Sequence, residues 1–244
     1  MLDPGSLALV LVLCTMLSVL SYWFGLLSAS GAVASFMVGI IIGGLGSIGW
    51  LLTLIAFTFL GFFVTKYRFQ AKKKLNVQEG TKGERTYRNV LANGLVPAAV
   101  AAISFVLGMQ GSEIAGLAFI SAVAVAAADT TASELGVLSP NTYLITTLEK
   151  VPPGTDGGIS TAGTASCIAA AAVASLVGWL AIFRSSPLDP LIAVPIVMGV
   201  AGCMLDSVIG ATAERSGKVT KLQNNMMTMA AGSALSVVLY LALA

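Results

Sequence analysis

Apolar stretches recur along the chain at about 6–27, 31–46, 47–66, 88–108, 113–134, 162–183, 188–210 and 225–244. Each comes near the roughly 20 residues that an α-helix needs to cross a bilayer. Such runs exclude a soluble globular core and predict an all-α, polytopic integral membrane protein with about seven or eight transmembrane helices, some short or broken. Composition agrees: 57% of residues are hydrophobic and 10% charged, where soluble domains carry about 25% charge. The stretch "GAVASFMVGIIIGG" is short and glycine-rich, so the second span is expected to be tilted, broken or re-entrant. Asp3 and the lack of a basic residue ahead of the first run argue against a signal peptide, so that run is expected to remain as a spanning helix.

The thirteen basic residues are unevenly placed. Lys66, Arg68, Lys72, Lys73, Lys74, Lys82, Arg85 and Arg88, eight of them, fall within 23 positions. By the positive-inside tendency this bias puts the basic segment 67–87 in the cytoplasm. Counting spans onward then puts the Pro/Gly-rich loop 137–160 and the segment 211–223 on the same side, where Arg215, Lys218 and Lys221 agree. Residues 1–244 therefore read as a single transmembrane domain with one polar site at the cytoplasmic face of the cell membrane. The opposite face offers little beyond Asp3, Glu113, Arg184 and Asp189.

Chemistry is bounded by what is missing. The chain has no histidine, which removes imidazole as a base or ligand and leaves carboxylates, hydroxyls and amides, donors suited to Mg²⁺ or Mn²⁺. Cys14, Cys167 and Cys203 lie in apolar segments at wide spacing and read as small buried side chains.

Four motifs carry the polar residues. In "GERTYRNVLANG" (83–94), Arg85, Asn89 and Asn93 recur every four residues, which predicts one helical face able to grip an anion, with Arg88 beside it; the plainer alternative is a snorkelling arginine with amide contacts between helices. In "AAADTTASELG" (126–136), Asp129 sits deep in an apolar helix with Thr130, Ser133 and Glu134 nearby, and a carboxylate there needs a cation or a partner such as Arg85 or Arg88. "CMLDSVIGATAE" repeats the pattern with Asp206 and Ser207. Two buried carboxylates are the usual minimum for Mg²⁺ on phosphate oxygens. "VPPGTDGGIS" (151–160) has glycines able to present backbone N–H groups to phosphate, as nests and helix N-termini do, with Pro153, Gly154, Thr155, Asp156, Gly157, Gly158 and Ser160 as candidate contacts and Asp156 as a third metal candidate. It is no Walker loop, since no glycine-lysine-serine or -threonine sequence follows and no strand is expected before it; a simple Pro-Gly turn explains it nearly as well. Asn224 and Asn225 stand at the mouth of the last span, as ligands or as caps of that helix.

Together these motifs resemble the integral membrane family that contains the phytyl-phosphate kinase of plastid tocopherol synthesis. The likeness runs from about residue 25 to the C-terminus. More remotely it resembles dolichol kinases and phosphatidate cytidylyltransferases, which use CTP at a cytoplasmic-face site; their D-x-x-A-S feature matches Asp129, Ala132 and Ser133. Their proline-glycine-histidine pattern is departed from, because Thr155 and Asp156 follow Pro153-Gly154. The resemblance implies phosphoryl transfer from CTP, or another nucleoside triphosphate, to a polyprenyl monophosphate such as phytyl or geranylgeranyl phosphate. It also implies Mg²⁺ or Mn²⁺ on Asp129 and Asp206, and a prenyl chain lying between small-residue helices. Partners would be membrane lipid, the prenyl monophosphate and the nucleotide, with no nucleic acid and with a homodimer allowed. The alternatives are a CDP-lipid synthase acting on the same ligands, and a transporter for a small anion or lipid, which would need a polar path to both faces.

Overall fold

The computed structural model describes residues 4–184 and 189–243. Asp3, read above as a far-face residue, lies outside the described residues, whereas Arg184 and Asp189 lie within them. Among the described residues eight helices are long and apolar enough to cross a membrane: Pro4–Trp23, Ala29–Gly46, Ile48–Lys66, Tyr87–Val106, Glu113–Gly136, Thr161–Ile182, Pro190–Glu214 and Lys221–Leu243. In chain order the α-helices are α1 (Pro4–Trp23), α2 (Ala29–Ile41), α3 (Ile48–Lys66), the short α4 (Phe69–Lys74), α5 (Tyr87–Val106), α6 (Glu113–Gly136), α7 (Thr161–Ile182), α8 (Ala193–Ile209) and α9 (Lys221–Leu243). The second span is indeed broken, continuing past α2 as a π-helical turn over Ile42–Gly46.

The axis of the bundle is α6. Its residues Ala122 to Ala128 are all fully or almost fully buried, and α3, α5, α7, α8 and α9 all pack against it. Apolar surface gives helices no preference for each other over lipid, so close backbone approach must come from small side chains. A Cβ at Gly202 of α8 would lie 2.5 Å from Val125 Cγ2, and one at Gly232 of α9 would lie 2.7 Å from the same atom. Val125 thus fits between two helices only because both positions are glycine.

Two irregularities fall where the site forms. Pro97 lies inside α5; having no N–H, it cannot donate to the carbonyl of Asn93 four residues earlier. Past α8 the chain widens into a π-helical turn, Gly210–Glu214, a form common beside functional sites.

The loop 137–160 is more ordered than its composition suggests. It folds into three antiparallel strands, β1 (Thr142–Leu144), β2 (Lys150–Val151) and β3 (Gly158–Ile159), in the order β2-β1-β3. Thr142 pairs with Val151, and Tyr143 pairs with Lys150 on one side and Ile159 on the other. A short strand therefore does precede the Pro/Gly decamer, contrary to the expectation from sequence. Strands of two or three residues show no alternation to read, while backbone polar groups at a partly buried surface still need partners.

Candidate functional site

Arg85 does not belong to a helix. It precedes α5, and its backbone is clamped to the α1–α2 connection by Arg85 N donating to Leu26 O (3.0 Å) and Ser28 N donating to Arg85 O (3.0 Å). The helical face expected for Arg85, Asn89 and Asn93 therefore holds for the two asparagines alone, because the chain is still extended at Arg85 to make these bonds. Space for it is cleared by glycines: a Cβ at Gly31 would lie 2.5 Å from Arg85 O, and one at Gly61 would lie 3.0 Å from its Nη1. Nη2 donates to Thr65 Oγ1 (3.0 Å) and Gly61 O (3.4 Å), but the buried Nε has no acceptor. Burial pushes the guanidinium down from its ordinary value, against Glu134 and Glu79, which push it up. An anion on the free side of Arg85 would offset that cost.

Thr65 connects Arg85 to an ion pair that the basic cluster concealed. Lys72 of α4 is fully buried and its Nζ lies 2.6 Å from Glu134 Oε2, while donating also to Val64 O (2.6 Å) and Thr65 O (3.3 Å) at the end of α3. Thr65 Oγ1 donates to Glu134 Oε1 (2.9 Å). Glu134, a candidate ligand contact in the sequence, thus has both carboxylate oxygens committed to tying α3, α4 and α6 together.

Two cavities open beside this network. The first, of about 330 Å³, is lined by Asp129, Ser133, Glu134, Asp206, Ser207 and the decamer from Gly154 to Ser160, with Glu79 and Glu214. The second, of about 500 Å³, is lined by Arg85, Arg88, Asn89, Asn93, Thr130 and Asn225. Asp129, Ser133, Glu134, Glu79 and Lys221 line both. Nearly every residue singled out in the sequence therefore meets at one end of the bundle. Pro153 and Asn224 line neither cavity.

Within the first cavity the carboxyl groups of Asp129 and Asp206 stand side by side, and Lys221 is the cation whose field reaches both. Among the described residues neither Arg85 nor Arg88 forms an ion pair with Asp129; Lys221, at the start of α9, is the cation that lines both cavities with it. Lys221 was legible only as part of a basic loop, since nothing in the local sequence brings α9 against α6. Glu214, carried inward by the π-helical turn, was missed for the same reason. It accepts from Asn224 Nδ2 (3.2 Å), which also donates to Asp206 O (3.0 Å).

The two asparagines of α9 are not its caps. Thr220 caps it, exchanging bonds with Gln223, because the helix begins one turn earlier than its apolar run. Asn225 instead donates through Nδ2 to Asn93 Oδ1 (3.4 Å), joining α9 to α5. Asn89 closes a capping box with Thr86 and donates to Glu79 Oε1 (3.0 Å). Arg88 is exposed and lies over the Tyr87 ring.

Buried oxygens without donors cluster at this end of the bundle, with Asp206 on the first cavity, Asn225 on the second and Asn224 hydrogen-bonded to the Asp206 carbonyl. Asp206 Oδ1, Asn224 Oδ1 and Asn225 Oδ1 have no donor. Among the described residues no three His, Cys, Asp or Glu side chains converge as a metal cage, so Asp156, exposed in the decamer, does not complete one with Asp129 and Asp206. A carboxylate pair with an unpartnered oxygen nonetheless fits Mg²⁺, which commonly takes one or two carboxylates and fills its remaining positions with water and substrate phosphates.

In the decamer, packing accounts for the glycines. Gly154 and Gly157 have φ of 83° and 75°, Gly158 N donates to Thr155 O (2.9 Å), and a Cβ at Gly157 would collide with Ala211 of the π-helical turn. Gly157→Val is therefore expected to destabilise the protein by about 2 kcal/mol or more, lowering its melting temperature in detergent and weakening all ligands together. Normal melting with selective loss of nucleotide binding would instead show a dedicated phosphate cradle. Ser160 caps α7 by accepting from Gly163 N (3.1 Å). Cys14, Cys167 and Cys203 are buried free thiols, as expected; Cys167 and Cys203 pack together with Ala128, just below Asp129.

The chain belongs to the family described as integral membrane protein DUF92, which it matches over residues 12–237. It is 33% identical over 215 residues to an uncharacterized membrane protein of Methanocaldococcus jannaschii, covering 88% of this chain and 86% of the relative. It is 30% identical over 220 residues to the chloroplastic protein VTE6 of Arabidopsis thaliana, covering 87% of this chain and 65% of that one. With protein PGR of the same plant it shares 28% identity over 231 residues, 86% and 80% of the two chains. No solved structure matches.

Proposed function

We propose that this member of the family is a polyprenyl-phosphate kinase that uses CTP or another nucleoside triphosphate to convert a phytyl- or geranylgeranyl-type monophosphate to the diphosphate, at the cytoplasmic face of the membrane. One observation carries the reading: two polar cavities, one acidic and one holding Arg85 and Arg88, share a wall containing Asp129 and Lys221. That is the arrangement needed to bring two anionic substrates end to end. The motif resemblance supplies the substrate class.

The nucleotide occupies the first cavity and the lipid phosphate the second. Arg85, through its unpartnered Nε, and Arg88 hold the acceptor phosphate, while Asn89 and Asn93 orient it. Lys221 neutralises charge where the anions meet. An acceptor phosphate oxygen forms a bond to the γ-phosphorus as the bond to the β-γ bridging oxygen breaks, releasing nucleoside diphosphate. The acceptor is already an anion, so no base is required and the absence of histidine is no obstacle; alignment and charge neutralisation supply the catalysis. Asp129 and Asp206 would hold Mg²⁺, which supplies charge neutralisation on the nucleotide phosphates. A transporter is disfavoured by the buried apolar run Ala122–Ala128 of α6 beneath the site.

Purified protein incubated with CTP and geranylgeranyl monophosphate is expected to yield geranylgeranyl diphosphate and CDP. Formation of CDP-prenol and pyrophosphate would instead identify a CDP-lipid synthase, and no turnover with any nucleoside triphosphate would reject both.

A further inference from the structure

The acceptor cavity does not end at its polar wall. Arg85, Asn89 and Asn93 also line a smaller space of about 50 Å³ whose other walls are mostly apolar, including Leu27, Val38, Phe57 and Phe62, with Ser35 and Thr58 among them. That space shares Ser35, Leu54, Thr58 and Phe62 with another of about 50 Å³ bounded by Cys14, Leu17 and Ser18 of α1, Gly39 of α2 and Leu51 of α3. The three spaces lie in series, each sharing wall residues with the next, from the guanidinium of Arg85 to a mostly apolar lining within the span. Between Phe62 and Leu51 this track follows α3 for eleven residues, roughly 17 Å at about 1.5 Å per residue.

The outer wall of the track is thin. Of the residues in α1 only Val10, Cys14 and Ser18 are buried, and α1 rests mainly on α2, with little contact to α3. The seam between α1 and α3 therefore opens towards lipid, with Phe59 more than half exposed beside it. A soluble anion has no use for an apolar extension of its binding site. An amphiphile with a phosphate at one end and a hydrocarbon chain at the other matches the gradient from Arg85 to Leu51.

Resting on the proposed acceptor role of Arg85, we infer that this track between α1, α2 and α3 binds the phosphate-proximal part of the lipid chain, and that Ser35 and Thr58 are its specificity-determining residues. The chain then lies between α1, α2 and α3, where the resemblance had implied a place between small-residue helices. The two narrow spaces hold a short length of hydrocarbon, so the distal chain leaves through the α1–α3 seam into the bilayer. Ser35 and Thr58 stand where the two narrow spaces join, and each is small enough to leave the junction open; Thr58 Oγ1 is spent on Leu54 O (2.9 Å) and offers nothing polar to the lumen.

Ser35→Phe and Thr58→Phe should close the junction without touching either polar cavity. For each variant, kcat/KM would be measured with dimethylallyl, geranyl and geranylgeranyl monophosphates, alongside CTP binding by calorimetry and melting temperature. The expected result is a loss of about tenfold or more for the geranylgeranyl substrate, the scale on which apolar pockets discriminate, with less than about twofold change for dimethylallyl phosphate and unchanged CTP binding. Equal activity of the Phe variants on all three chains, or equal loss on all three with unchanged melting, would overturn the assignment of the track. Should a Phe variant melt early, competition between geranyl and geranylgeranyl phosphate on Ser35→Ala/Thr58→Ala, where widening should favour the longer chain, decides in its place; no change of preference overturns the proposal. If the parent protein turns over none of the three, the acceptor reading itself fails, a result distinct from a loss of chain discrimination.

Discussion

Asp206→Asn and Asp129→Asn are each expected to keep the helical bundle and to lower nucleotide-dependent turnover by about a hundredfold or more, the scale for removing one preorganised electrostatic contact in an active site. The substitution keeps size and hydrogen-bonding capacity and deletes only charge. Asp206 Oδ1 has no donor directed at it, so no structural bond is lost with its charge. If the pair served only to balance Lys221, Asp129→Asn combined with Lys221→Met would restore what each change costs alone. If the pair serves the nucleotide phosphates, the double variant remains inactive and the apparent Mg²⁺ requirement of any residual turnover rises. Near-normal turnover of both single variants across a range of Mg²⁺ concentrations would remove these carboxylates from the mechanism.

The largest expected loss of stability belongs to a residue far less conspicuous in the sequence. Lys72→Met leaves Glu134 buried beside α3 without its cation, and breaking one side of a buried ion pair costs about 3–5 kcal/mol. Denaturant unfolding in detergent should show this, and Lys72→Met combined with Glu134→Gln should recover much of it, since the unpaired charge is then gone. Because Glu134 also holds Thr65, and Thr65 holds Arg85, the single variant should raise KM for the lipid phosphate more than for the nucleotide. A stability change below about 1 kcal/mol would mean that water reaches this pair and screens it.

Lys72 shows where reading a sequence stops. Among Lys72, Lys73 and Lys74 nothing local distinguishes the lysine that turns inward, since the choice depends on where α4 docks against the ends of α3 and α6. Lys221 is the same case at the start of α9. Arg85, by contrast, lines a cavity but does not sit where its motif suggested: its spacing of four from Asn89 suggested a helix, but hydrogen bonds to Leu26 and Ser28 hold it in an extended connection. Local periodicity carries no information about partners 57 and 59 residues away.

What the chain determined by itself is the membrane architecture and the end of the bundle where polar groups collect. Both follow from terms that act residue by residue: the cost of exposing polar backbone to hydrocarbon, the length of an apolar run, and the cost of placing Asp129 or Asp206 in such a run without a partner. Tertiary structure decided which groups meet. It brought Asp129, Asp206 and Lys221 to one cavity, spent Glu134 on Lys72, and packed Gly157 of the decamer against Ala211. These outcomes depend on distances between helices, and those distances are set by small side chains on several helices at once. Val125 between Gly202 and Gly232 is one such fit, and no single segment of the sequence contains it.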